Sequence, residues 1–216
     1  MSTIPRSVVF DFGGVLLRWK PQEIINTFYA DEISREALRQ SVFQHPDWKD
    51  MDAGVLGEAD AVRRFAARLG RPPEEMKALM EHIKDSLTPI EESFAIANEL
   101  ASRGIPVFGL SNMPAFTFHH LRRRYGHWDV FRGIVISGTV KLVKPDRAIF
   151  EHISRLYGLE PSETVFIDDH LPNIEAARQL GFHGILFRDP HQCAHDLALL
   201  GPAARPATYR DSDGSN

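Results

Sequence analysis

Apolar residues along this chain gather in short unbroken runs that stop at a polar or turn residue. Longer stretches of helical spacing separate them. Val8-Val9-Phe10 runs into Asp11, and Ile105-Pro106-Val107-Phe108-Gly109-Leu110 runs into Ser111. Thr164-Val165-Phe166-Ile167 leads to Asp168, and Gly184-Ile185-Leu186-Phe187 leads to Arg188-Asp189-Pro190. Each run is rich in β-branched or aromatic side chains and none alternates with polar residues. That pattern predicts strands covered on both faces, as in a parallel sheet. Ile134-Val135-Ile136 reads as a fifth, weaker strand before Ser137-Gly138.

The helical stretches fill the gaps. Glu91 to Ser102 puts Phe94, Ile96, Ala97 and Leu100 largely on one face, with Gly104 as the stop. Arg147 to Tyr157 repeats the pattern and ends at Gly158, and Pro172 to Leu180 ends at Gly181. Strand alternating with helix predicts βαβ units in a doubly wound, Rossmann-like α/β fold of three layers. One connection breaks the rhythm: residues 12–105 are far too many for an ordinary βα loop. Pro21 to Leu87 carries several helical patterns, Ala59 to Leu69 and Pro73 to Leu87 among them. The expected division is a core of residues 1–16 and 89–200, a helical insertion over 17–88, and a tail over 201–216. That tail, rich in Pro, Gly, Ser and charge, predicts disorder.

Composition narrows the class. Of 216 residues, 43% are hydrophobic and 25% charged, as in folded soluble proteins. The net charge of −4 argues against a partner that is nucleic acid or an anionic membrane. A single cysteine, Cys193, excludes an internal disulfide scaffold and fits a reducing compartment. Met1 to Arg6 does not read as a signal peptide, and no apolar stretch approaches the roughly 18 residues of a membrane span. The expectation is a soluble cytoplasmic protein.

In an open parallel sheet ligands bind beyond the carboxyl ends of the strands, so the chemistry should sit there. Those positions hold Asp11-Phe12-Gly13-Gly14, Ser111-Asn112 and Asp168-Asp169, with Lys144-Pro145-Asp146 reaching the same edge from the loop before a helix. The Asp11 carboxylate, at a strand end with glycines after it, can act as a nucleophile. Gly13 and Gly14 allow a sharp turn and close approach to a ligand. Asp11 and Asp169 suit a hard cation such as Mg²⁺. Ser111, Asn112 and the free N–H groups of the helix start that Pro114 opens would hold an anion. Lys144 offsets the negative charge. Each motif alone also reads as a turn former, a helix cap or a surface turn; the functional reading rests on their conjunction.

The sequences VVFDFGGVL, GLSN, VKPDRAIF and VFIDDHLPN, in that order, resemble the haloacid dehalogenase-like hydrolase superfamily from about Ser7 to Phe187. The resemblance implies a helical cap at the position of the insertion. It also implies a small phosphorylated substrate, an aspartyl-phosphate on Asp11, and Mg²⁺ bound by Asp11, the Gly13 carbonyl and Asp169. Asn173, four residues after Asp169, stands where the family places a supporting polar residue. Asp168 would then orient Lys144 or back the metal ligands. Gly14, Ser111, Asn112 and Lys144 would hold the phosphoryl group.

Family dehalogenases lack a metal and have neutral residues at the acidic pair. Adjacent carboxylates beside Asp11 need a cation, which favours the phosphatase. Gly13 departs from the pattern, since family phosphatases carry there an aspartate that acts as general acid and base. A phospho-ligand-binding module with little turnover is the reading Gly13 supports. If the chain turns over, esters with acidic leaving groups should react best, with His170 as the first suspect for a replacement proton donor.

Three further features invite a functional reading. Trp19, His45, Asp47 and Trp48 in the insertion would line a substrate pocket or simply pack. His191-x-Cys193-x-His195 has the look of a metal cluster, yet helical spacing turns Cys193 away from both histidines. Arg122-Arg123-Arg124 reads as a solvated helix end.

Overall fold

A computed structural model describes residues 5–201, so the expectations for residues 1–4 and, apart from Gly201, for the tail lie outside the described residues. Among the described residues five strands form one parallel sheet in the order β3-β2-β1-β4-β5. They are β1 (Ser7–Phe10), β2 (Val107–Ser111), β3 (Gly133–Ile136), β4 (Thr164–Asp168) and β5 (His183–Leu186). The helices are α1 (Pro21–Phe28), α2 (Glu32–Leu38), α3 (Pro46–Asp52), α4 (Glu58–Leu69), α5 (Pro73–Ser86) and α6 (Glu91–Ser102). The rest are α7 (Ala115–Arg124), the single turn α8 (Ser137–Val140), α9 (Arg147–Tyr157), α10 (Leu171–Gln179) and α11 (Pro190–Leu199).

The strand interiors are apolar throughout because both faces are covered. Val8 and Phe10 point into one apolar cluster with side chains of α6, α7 and α11. Val9, between them, points into the other with Phe166 and the inner faces of α9 and α10. This two-residue alternation inside a fully buried strand produces three layers. In register, Val9 lies opposite Phe108 on one side and Phe166 on the other. Asp11, Ser111 and Asp168 therefore finish at the same edge. Chain order turns back between β1 and β4, and the crevice of such a sheet opens at that switch point.

Three expected boundaries shift by local chemistry. β2 begins at Val107, since Pro106 has no N–H to give a ladder and offers only its carbonyl, to Val8 at 3.0 Å. Pro114 lies just before α7 instead of in its first turn, with extended backbone. α10 starts one residue early, at Leu171, with Pro172 in its first turn.

Between β1 and β2 the five helices α1–α5 and a π-helical turn at Arg39–Phe43 pack around their own apolar cluster, which includes Leu38, Phe65, Met76 and Leu79. α2 is capped by Asp31, whose side chain accepts from the Ser34 N–H at 2.8 Å, and α4 stops at left-handed Gly70. No helix among the described residues is long and apolar enough to cross a membrane.

Candidate active site

Asp11 continues the strand ladder through its N–H to the Ile167 carbonyl at 2.9 Å. The chain then turns sharply and Phe12 plugs into the core. Its ring meets Phe118, Trp128 and Phe131 with centroids 5.3–5.9 Å apart. Gly109 makes room for it, since a Cβ there would lie 2.5 Å from the Phe12 ring. With Phe12 fixed, its N–H donates to Asp11 Oδ1 at 2.6 Å and sets the carboxylate.

Lys144 reaches this carboxylate from the loop before α9. Its Nζ lies 2.8 Å from Asp11 Oδ1 and 2.7 Å from Asp168 Oδ2, and the side chain is almost wholly buried. The loop is pinned by Asn112, whose Oδ1 accepts from the Lys144 N–H while its Nδ2 donates to the Lys144 carbonyl, both at 2.8 Å. Asn112 thus acts as a strut for Lys144. Asp168 is fixed by the His170 N–H at 2.8 Å and by Asn173 Nδ2 at 3.0 Å to each oxygen. The sequence reading put Asn173 behind Asp169, and the structure corrects this. Neighbouring residues at a strand end face opposite ways, so Asp168 turns inward to Lys144 and Asn173 while Asp169 is exposed to solvent.

Asp11, Asp168 and Asp169 each offer an oxygen within 4.8 Å of the others. Gly14 permits this approach. It has φ +78°, and a Cβ there would stand 2.0 Å from Asp169 Oδ2. Burial pushes the Asp11 carboxyl up to about 7; Lys144 pulls it down, and Asp168 and Asp169 add to the rise. Asp169 is raised by lost hydration and then by Asp168. Lys144 would lose its proton to burial, but Asp11 and Asp168 outweigh that and raise it. Three carboxylates face one ammonium, which bonds two of them and not Asp169. A hard divalent cation fits this surplus of charge and this set of oxygen donors.

Ser111 ends β2, buried. The Met113 N–H, among the donors expected to be free, instead bonds the Ser137 hydroxyl at 2.9 Å. Of the residues singled out in the insertion, Trp19 and Trp48 line a cavity that Gly13 also lines, with Met80, Ile83, Leu87 and Met113. Asp47 and His45 do not. Asp47 is buried against Arg64 and Arg68, and His45 Nδ1 caps its N–H. His170 is exposed, and so are His191 and His195, while Cys193 between the last two is buried. Arg122, Arg123 and Arg124 are exposed as expected, with Arg124 paired to Asp85.

Sequence reasoning missed Asp52, the last residue of α3, which lines the same cavity. Nothing in the local pattern marks it out, because Asp47, Lys49 and Asp50 crowd the same helix.

A model of the haloacid dehalogenase-like hydrolases matches residues 5–181. The sesquiterpene phosphatase astK of Aspergillus oryzae is 30% identical over 200 residues, which cover 93% of this chain and 98% of the relative. Two solved structures share the fold. A HAD-like family hydrolase from Porphyromonas gingivalis superposes with a TM-score of 0.74 at 23% identity, covering 91% of this chain and 98% of that one. A HAD family enzyme from Bacteroides thetaiotaomicron, in complex with magnesium and inorganic phosphate, does so with 0.68 at 21% identity, covering 85% and 94%.

Proposed function

The chain belongs to the haloacid dehalogenase-like hydrolases, and from that premise we propose that it is a Mg²⁺-dependent phosphoric-monoester hydrolase working through an aspartyl-phosphate on Asp11. The observation that carries this reading is the Asp11–Lys144–Asp168 chain of bonds with Asp169 beside it. The carboxylates of Asp11 and Asp169 and the Gly13 carbonyl would hold the metal, with Asp168 keeping Lys144 in place. When bound, the cation neutralises the carboxylates, keeps Asp11 ionised and draws charge from the phosphoryl oxygens.

Asp11 supplies the attacking oxygen. The Lys144 ammonium, held on two carboxylates, stabilises charge on the group in transfer. Residues 17–88 serve as the cap that covers the bound ester. The organic part of the substrate is apolar: Trp19, Trp48, Met80, Ile83 and Met113 line the cavity above the strand ends. The relative named as a sesquiterpene phosphatase supports the same class.

Phosphate release with Mg²⁺ tests this on a panel of terpenyl, alkyl and sugar monophosphates. Turnover that favours the apolar esters and stops on chelation is expected. Undiminished turnover after chelation overturns the metal assignment, and activity confined to 2-haloacids reinstates the dehalogenase.

A further inference from the structure

An ester of an apolar alcohol is a demanding substrate for this site. Its leaving group is a basic alkoxide that departs readily only if it receives a proton as the P–O bond breaks. Gly13, two residues after Asp11, has no side chain to give one. Lys144 is held between Asp11 and Asp168. His170 is exposed, and it is not among the residues that line the cavity.

One residue in the lining carries an ionisable group, and it comes from the helical insertion. Asp52 shares the cavity with Gly13 and Asn112, and the remaining lining is uncharged. Its backbone is fastened to the segments that follow β2 and β3. The Ser137 hydroxyl donates to the Asp52 carbonyl at 2.5 Å while accepting from the Met113 N–H at 2.9 Å. Two residues on, Gly54 packs so tightly on α8 that a Cβ would meet the Gly138 carbonyl oxygen at 2.2 Å. These contacts tie the end of α3 to the loop after β2, whose Asn112 holds Lys144.

Resting on the phosphatase reading above, we propose that Asp52 is the general acid and base of this enzyme, supplied by the cap in place of the side chain that Gly13 lacks. In the first step Asp11 attacks phosphorus, the ester P–O bond breaks, and the Asp52 carboxyl passes its proton to the departing oxygen, so the alcohol leaves neutral. In the second, water attacks the phosphorus of the aspartyl-phosphate and gives a proton to the Asp52 carboxylate. The P–O bond to Asp11 breaks, phosphate leaves, and both aspartates return to their starting forms. Burial pushes the Asp52 carboxyl up to about 7 against the pull of Lys144, the charged group that bears on it. Near neutral pH it is therefore poised between its protonated and ionised forms and can both give and take a proton.

The experiment compares Asp52→Asn with the unmodified enzyme on an alkyl phosphate and on p-nitrophenyl phosphate, by rapid mixing and by intact mass. Alkyl-ester turnover should fall about 10²–10⁴-fold, the range of general acid–base catalysis. With the aryl ester the fast release of nitrophenolate should survive as a burst of one per active site. Slow turnover should follow, with the phosphoryl group accumulating on Asp11.

Gly13→Asp placed in the Asp52→Asn background should recover alkyl-ester turnover. Its Cβ would meet Trp19 at an ordinary 3.6 Å, and Gly13 does not have a positive φ. Equal losses on both esters with no burst, or no loss at all, overturn the role of Asp52 and leave the phosphatase intact. If the unmodified enzyme releases phosphate from no ester, the phosphatase reading itself fails and this role falls with it.

Discussion

At Asp11 burial and neighbouring carboxylates act in one direction and Lys144 in the other, leaving the carboxyl poised near neutrality. Asp11→Asn removes the proposed nucleophile and one negative charge from a crowded site, while Lys144 keeps its bond to Asp168. Turnover should drop by more than about 10³-fold, as when a covalent nucleophile is lost. The melting temperature should not fall. Near-wild-type rates would place the nucleophile elsewhere. Gly14 allows a different test. Gly14→Ala forces a Cβ against Asp169 Oδ2 in a left-handed backbone, a strain of order 1–3 kcal/mol. Displacing Asp169 should raise the Mg²⁺ concentration needed for half-maximal activity, and an unchanged requirement would remove Asp169 from the metal site.

Asp52 offers a further check that needs no substrate. Its folded pKa of about 7 lies above the ordinary aspartate value of 3.8. Between those values the folded state holds a proton that the unfolded state has lost, so stability falls as pH rises from about 4 to 7. Asp52→Asn abolishes that loss. The variant's melting temperature should gain on wild type by a few °C between pH 4 and pH 8. A constant difference across that range would mean that Asp52 is well hydrated.

Among the elements, α3 is fixed by charge at one end and by the Ser137 contact at the other. Asp47, in its first turn, is buried and takes bonds from Arg64 and Arg68 of α4. Burial disfavours its charge, yet the two guanidiniums outweigh it and hold the carboxyl below its usual range. A depressed folded pKa contributes stability that is fully present above the unfolded value near 4 and is lost as pH falls through the folded one. Asp47→Asn should therefore cost about 1–3 kcal/mol at pH 7, as for hydrogen bonds to charged groups. That difference should shrink to nothing as wild type and variant are melted at successively lower pH from 4 down. Equal deficits at pH 3 and pH 7 would show that shape, and not charge, holds α3.

These elements also show what the chain spells out and what it hides. The strands were legible because burial on both faces forces unbroken apolar runs, and Glu91–Ser102 and Arg147–Tyr157 because their inner faces repeat at helical spacing. Asp11 and the acidic pair were legible because each abuts a strand end, and Lys144 because its Lys-Pro-Asp loop opens the helix pattern of Arg147–Tyr157. The partner of Asn173, the strut role of Asn112 and the place of Asp52 depend on which way single side chains turn across the fold. Local pattern does not encode that.

For the whole molecule, substrate choice on the proposed reading depends on how the insertion meets the sheet. Trp19 packs against both the core cluster and the insertion cluster, and it stacks on Trp48 with ring centroids 5.6 Å apart. Trp48 in turn stacks on Phe43 at 5.0 Å, inside the insertion. Truncating Trp19 would loosen the joint itself, so Trp48 is the cleaner probe of the cavity wall. Trp48→Ala removes apolar surface from the cavity wall that, on the proposed reading, meets the organic part of the ester, and leaves Asp11, Lys144 and the acidic pair in place. The kcat/KM for a long apolar phosphate ester should fall by at least roughly 10–200-fold, the worth of a single methylene in a hydrophobic pocket. For a short polar ester, which never reaches that wall, it should change little. Aspartyl-phosphate breakdown, followed by single turnover after the organic product has left, should keep its wild-type rate. A proportional loss across the whole panel, breakdown included, would mean that Trp48 supports the insertion and does not read the substrate.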